Sequence, residues 1–178
     1  MYVLIAVVIV VVAFLAFVAS RPAEFRMSRS AEIDAPADRI YAHVADFHHW
    51  DAWSPFEKYD RNMTKTFSGA PSGPGAVYEW SGNSKAGQGR MEIVDATAPS
   101  ATTIDLHFIK PFDARNTTVF TFDPVPNGTR VTWAMNGKNN FMAKLFHVFV
   151  NMDKMVGKDF EEGLANLKRV SEAETVPR

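Results

Sequence analysis

The residue types best suited to chemistry cluster in one short stretch, Asp46-Phe47-His48-His49-Trp50-Asp51-Ala52-Trp53-Ser54-Pro55-Phe56. His48, His49 and Asp51 could form a metal site or an acid/base cluster. Their spacing argues against both, because side chains adjacent in sequence rarely converge on one centre. No third ligand follows at a helical four-residue step. A carboxylate buried beside Trp50 would have a raised pKa and could act as a general acid or base, which makes Asp46 and Asp51 the best enzymatic candidates. Capping short helices is the plainer task for both.

The other reactive groups are weaker. His107 alternates with Leu106 and Phe108 and should point away from their face. His43 and His147 fall on helices, at the margin with solvent. Glu79 and Glu92 sit opposite the apolar rows of their strands, where Arg90 could pair with one of them. Gly87-Gln88-Gly89 has no helix after it and reads as a hairpin turn rather than a phosphate loop. Gly69 to Gly75, with two prolines, reads as a loop near a cavity mouth. No Ser-His-Asp arrangement can be argued from spacing. No catalytic residue, metal ligand or cofactor is assigned.

The elements around these residues are more informative. Phe47, Trp50, Trp53 and Phe56 put four aromatic rings within ten residues, which demands a hydrophobic destination. Asp46 and Asp51 interrupt the run, and Ser54-Pro55 ends any helix. A short broken helix with inward rings is expected, either plugging a core or lining a cavity. The chain has 178 residues and a net charge of −1, so nothing points to nucleic acid. It has no cysteine, which excludes disulfides, thiolate metal sites and a cysteine nucleophile.

Residues 1–20 begin with an uninterrupted apolar run, Met1 to Ala19, which as a helix spans about 28 Å, close to a bilayer's hydrocarbon thickness. No Lys or Arg precedes it, unlike a cleaved signal. A retained single-pass anchor is expected. Arg21, Arg26 and Arg29 follow it and favour a cytoplasmic C-terminal domain. Residues 21–24 form a short linker, 25–170 a folded domain and 171–178 a polar tail. Phe25 to Asp34 suits a first strand, and Ala35-Pro36 opens a helix with Ile40, Tyr41, Val44 and Ala45 on one face. From Asn62 to Asn136 the period changes to two, and six more strands are expected, separated by Gly/Pro/Asn-rich turns. Phe141 to Arg169 repeats apolar residues at three- and four-residue steps, which predicts one amphipathic helix of about eight turns.

That order resembles the helix-grip fold of the START-like (SRPBCC) superfamily, and within it the polyketide cyclase/dehydrase and lipid-transport group. The resemblance rests on Ile33-Asp34-Ala35-Pro36-Ala37-Asp38-Arg39-Ile40-Tyr41, on the Asp46 to Pro55 stretch, and on Gly75-Ala76-Val77-Tyr78-Glu79-Trp80-Ser81-Gly82. Gly87 to Ile93, Thr129 to Trp133 and Gly157 to Lys168 continue it. The class is α+β, a curved antiparallel sheet of about seven strands wrapped around a long C-terminal helix. The resemblance implies a cavity between them, lined by Tyr78, Trp80, Met91, Leu106, Phe108, Phe120, Trp133 and Met135. The helix would add Phe146, Phe149, Met152 and Val156, while Trp50, Trp53 and Phe56 would close one end. The implied function is binding of a hydrophobic small molecule, lipid or polyketide/isoprenoid-like, beside a membrane. The alternatives are a cyclase- or dehydratase-like enzyme and a cochaperone-like interaction module, since one fold hosts all three.

Overall fold

The computed structural model describes residues 1–173, apart from the His147 side chain. The expected position of His147 and residues 174–178 of the expected tail lie outside the described residues. Helix α1 (Tyr2–Ser20) precedes strand β1 (Glu24–Ile33) and helix α2 (Ala37–Ala45). Two 3₁₀ helices follow, Phe47–Ala52 and Pro55–Tyr59. Six strands come next: β2 (Thr64–Gly69), β3 (Ala76–Ser81), β4 (Gln88–Thr97), β5 (Ala101–Lys110), β6 (Ala114–Val125) and β7 (Gly128–Lys138). Helices α3 (Phe141–Phe149) and α4 (Met152–Ala173) complete the described chain.

All seven strands form one antiparallel sheet in the order β1-β7-β6-β5-β4-β3-β2. Two register shifts in β4, at Gln88/Gly89 and Ile93/Asp95, bend it, as bulges do. The concave side faces α4, and this is the expected helix-grip architecture.

Pairing defines two ends of the sheet. Glu24 pairs with Lys138, Phe108 with Ala114 and Ser81 with Gln88. Helices α1 and α3 and the β3–β4 and β5–β6 turns therefore leave from one end, the α1 end. At the opposite end Ile33 pairs with Thr129 and Thr97 with Ala101, and α2 begins there.

The expected single C-terminal helix is in fact two. Val150 is extended, and the Asn151 side chain accepts from the Lys154 N–H at 2.9 Å, capping α4. Asn140 caps α3 in the same way through the Ala143 N–H. The apolar period runs on across the break, so periodicity alone hides it. The other end also differs from expectation. Helix α4 extends to Ala173 with Ser171 buried, so the first residues of the expected tail are helical.

Helix α1 is exposed along most of its length and is long and apolar enough to cross a membrane, with a mean hydropathy of 3.2. Its C-terminal part is not free. Val18 is buried, the Phe14 and Phe149 rings lie 6.3 Å apart, and Lys144 Nζ donates to the Ala19 carbonyl at 3.1 Å.

Candidate functional site

The Trp50/Trp53 segment is built from the end of α2. A helix leaves its last four carbonyls without intrahelical partners. Here all four are met from downstream. Trp50 Nε1 donates to Val44 O at 3.0 Å and Trp53 Nε1 to His43 O at 3.1 Å. The His49 ring reaches Ala42 O at 3.2 Å, and the Gly73 N–H donates to Ala45 O at 2.8 Å. The two indoles and one histidine thus terminate α2, and their rings turn inward.

Those rings complete a stacked aromatic block. Trp133 lies parallel to Phe160 of α4, with centroids 4.1 Å apart and planes 8° apart. Phe120 stacks on its other neighbour side at 4.9 Å, and Trp53 meets it edge-on at 5.7 Å. Trp50 packs on Trp53 at 4.7 Å. Gly163 permits the close fit, since a Cβ there would stand 2.7 Å from the Trp133 ring and 2.9 Å from Pro55. Half of the concave face is therefore solid. Trp50, Trp53, Phe120 and Trp133 belong to this filled half, and Phe56 sits at its exposed edge, 6.3 Å from Trp133.

Toward the α1 end, in the other half of the face, side chains are less completely buried. One row crosses the whole sheet in register: Phe67, Tyr78, Met91, Leu106, Asn116, Gly137 and Phe25. Ile104 and Phe120 are wholly buried, Leu106 retains 9% exposure and Asn116 8%, and Trp80 and Phe108 in the next row are half-buried. Trp80 lies over Gly89, whose missing Cβ would sit 2.3 Å from the ring, and meets Phe108 edge-on at 5.9 Å. Met152 and Val156 of α4 and Phe25 of β1 are half-buried against the same core. Tyr59 bridges the β3–β4 turn and α4. Its carbonyl accepts from Asn83 in the β3–β4 turn, and its hydroxyl donates to Asp159 of α4 at 2.9 Å. A separate open cleft of about 610 Å³ is lined by Lys58, Tyr59, Phe149, Met155 and Asp159 among others, and by none of the cross-sheet row.

Two expected lining residues lie elsewhere. Phe146 and Phe149 are exposed on α3, the latter 75%. The break at Val150 rotates their helix away from the concave face. Asp159, among charged neighbours on α4, is buried and bonded to Tyr59 and Lys58.

Asn116 and Thr118 are polar members of the concave face, on the same side of β6 as Phe120 and Phe122, whose alternation is plain in the sequence. Extending that alternation back by four residues places both inward. Tyr78 adds a hydroxyl, held above the ordinary tyrosine pKa by burial and by the negative charges of Glu57 and Asp51.

The stretch that invites a catalytic reading is held in structural contacts. The Asp46 carboxylate accepts from the His48 N–H at 2.9 Å, capping the first 3₁₀ helix, and from the His48 ring at 2.8 Å. Burial pushes the Asp46 pKa up, but the His48 bonds and the nearby His49 outweigh it and hold the carboxyl below its ordinary value. A raised pKa, expected for a carboxylate here, is thus not what forms. Among the described residues Asp51 caps no helix; with Glu57 it pairs with Lys65, 2.7 Å from Asp51. Burial would lower the Lys65 pKa, yet these two carboxylates hold it above the usual lysine value. His48 stacks on Phe67 at 4.2 Å, His107 faces Asp113 at 3.2 Å, and Arg90 pairs with Glu92 at 2.7 Å. Among the described residues no three His, Asp or Glu side chains gather to hold a metal.

The Asp46 contacts carry a pH prediction. A carboxyl with a depressed folded pKa contributes stability above its unfolded pKa, about 3.9, and that contribution is lost as pH falls through the folded value. Asp46→Asn is expected to lower the thermal midpoint at pH 7 and to converge with the wild type as pH falls below about 4. Parallel melting curves across that range would contradict it.

The comparisons agree with this architecture. A protein from Chromobacterium violaceum aligns with a TM-score of 0.59 at 13% identity, covering 85% of this chain and 98% of that one. A Mycobacterium smegmatis protein gives 0.57 at 20% identity, covering 84% and 92%. The Aha1 dimer structure from Colwellia psychrerythraea gives 0.56 at 14% identity, covering 83% and 96%. At these identities the likeness is one of fold. No curated protein matches the chain in sequence. Residues 24–172, from the first strand nearly to the end of α4, match the family described as polyketide cyclase/dehydrase and lipid transport. A curved sheet gripping a C-terminal helix over a core of stacked rings is thus a member's structure: the chain belongs to the polyketide cyclase/dehydrase and lipid transport family, within the SRPBCC superfamily.

Proposed function

We propose that this protein is a membrane-tethered carrier or sensor of a hydrophobic small molecule, lipid or polyketide/isoprenoid-like, held at the less buried half of its concave face. The observation that carries this reading is the gradient along the strands. Wholly buried rings at the α2 end give way to Leu106 and Asn116, and then to half-buried Trp80, Phe108, Phe25, Met152 and Val156. Half-covered apolar side chains with a few polar groups among them, here Asn116, Thr118 and the Tyr78 hydroxyl, are the usual composition of a small-molecule site. Burying apolar ligand surface against them stabilises a complex by roughly 25 cal/mol per Å², before ordering and desolvation are deducted. The less buried half lies at the end from which α1 departs. An anchor there keeps the site beside a membrane-dissolved ligand and raises its effective concentration without any new contact. The basic residues Arg21, Arg26 and Arg29 after α1 support a cytoplasmic domain.

Trp80 provides the test, as the tryptophan at the less buried half. A fatty acid brominated along its acyl chain, added to the full chain in detergent, is expected to quench part of the tryptophan emission. Trp80→Phe is expected to remove that quenchable part. Absent quenching, or quenching that survives Trp80→Phe unchanged, would contradict a site here.

A further inference from the structure

Outside α1, most large exposed apolar side chains gather at one end of the molecule, Phe56 and Val94 excepted. Phe141, Met142, Phe146 and Phe149 project from α3, and Met155 from the first turn of α4. Phe112, 69% exposed, tips the β5–β6 turn at the same end. Chain topology makes this unavoidable. Glu24 pairs with Lys138, so α1 ends just before one strand starts and α3 starts just after its partner ends. Contiguous apolar surface of this kind on a soluble face marks an interaction site.

We infer that α3, together with Phe112, is a docking surface for the lipid bilayer, descending antiparallel beside α1 so that its C-terminal end reaches the headgroup–acyl boundary. The inference rests on α1 being a membrane anchor. Its support is the contact between the two helices. Phe149 meets Phe14, six residues before the end of α1 at Ser20, which places Phe149 about 9 Å below that end along the helix axis. That depth falls in the range, about 5–10 Å, to which amphipathic segments bury apolar side chains at the boundary. Lys144 reaches the Ala19 carbonyl, so α3 is fixed against the last turns of α1. Exposed Arg21, Lys138 and Lys154 lie at this end beside Glu24, Asp113 and Asp153, so the rim around the apolar face is charged with both signs. The less buried half of the concave face then abuts the bilayer, and a lipid can pass between them without crossing bulk water.

The native chain has no cysteine, so single labels are unambiguous. Cysteines at Val10, Val94, Phe112, Phe146 and Phe149 carry an environment-sensitive fluorophore in the full chain, in vesicles of phosphatidylcholine and phosphatidylglycerol. Lipids bearing a nitroxide on the acyl chain serve as quencher. Val94 is the internal control, because it is 51% exposed but lies in β4 at the bulge nearer the α2 end. The expected result is strong quenching at Val10, Phe112, Phe146 and Phe149, with Val94 unaffected. Quenching at Val10 alone overturns the docking surface and leaves the anchor standing. No quenching even at Val10 overturns both. A blue shift at Phe146 and Phe149 without lipid quenching assigns the face to a second copy of the chain and also overturns the inference.

Discussion

Replacing Trp133 by alanine is expected to lower the unfolding free energy by about 3–5 kcal/mol, the range for deleting a large buried aromatic side chain. Trp133 is the hub of the filled half. It stacks on Phe160 and Phe120, meets Trp53 and Phe56 edge-on, and sits where Gly163 lets α4 approach the sheet. Helix and sheet cannot close over the resulting hole without breaking those contacts, so most of the cavity cost remains. The Trp133 Nε1–H has no partner among the described residues, whereas Trp50 and Trp53 each cap α2. Trp133→Phe keeps the ring stack and removes a buried unpaired donor, and should cost far less than the alanine change. Denaturant midpoints of the full chain in detergent decide this. A loss below about 1 kcal/mol for Trp133→Ala would mean the block does not hold helix to sheet.

Leu106→Trp is expected to separate binding from stability. Leu106 lies in the middle of the cross-sheet row, between Met91 and Asn116, and retains 9% exposure. If the less buried half is ligand space, an indole occupies it, and affinity for an apolar ligand falls at least about tenfold, a change of about 1.4 kcal/mol. Stability should then change little. If the same region is instead packed core, overpacking costs about 1–3 kcal/mol. The two outcomes are distinguished by measuring the midpoint and the affinity on one preparation.

The strands are legible in the sequence because each carries its own evidence. Tyr78/Trp80, Ile104/Leu106 and Val131/Trp133/Met135 alternate with residues of the opposite face, and a half-buried sheet has that period. The helix break is not legible, because it depends on Val150 leaving the helical region and on Asn151 turning its side chain to a backbone N–H. Neither interrupts the apolar period. The fate of Phe146 and Phe149 follows from that break. Trp50 and Trp53 are readable as inward rings. Their role in terminating α2 is not, since it needs carbonyls that only three-dimensional placement brings within reach. Asp159 shows the same limit: a charged residue among charged neighbours reads as solvated until Tyr59 and Lys58 are seen beside it.

The most direct measurement is native mass spectrometry of the full chain, released from membranes and paired with extraction and identification of bound lipids, for wild type and L106W. The expected result is a wild-type species carrying one apolar molecule, absent from a folded L106W. A wild-type chain that emerges without ligand, and that takes up none when a long-chain fatty acid is added, would contradict a hydrophobic ligand site on the concave face.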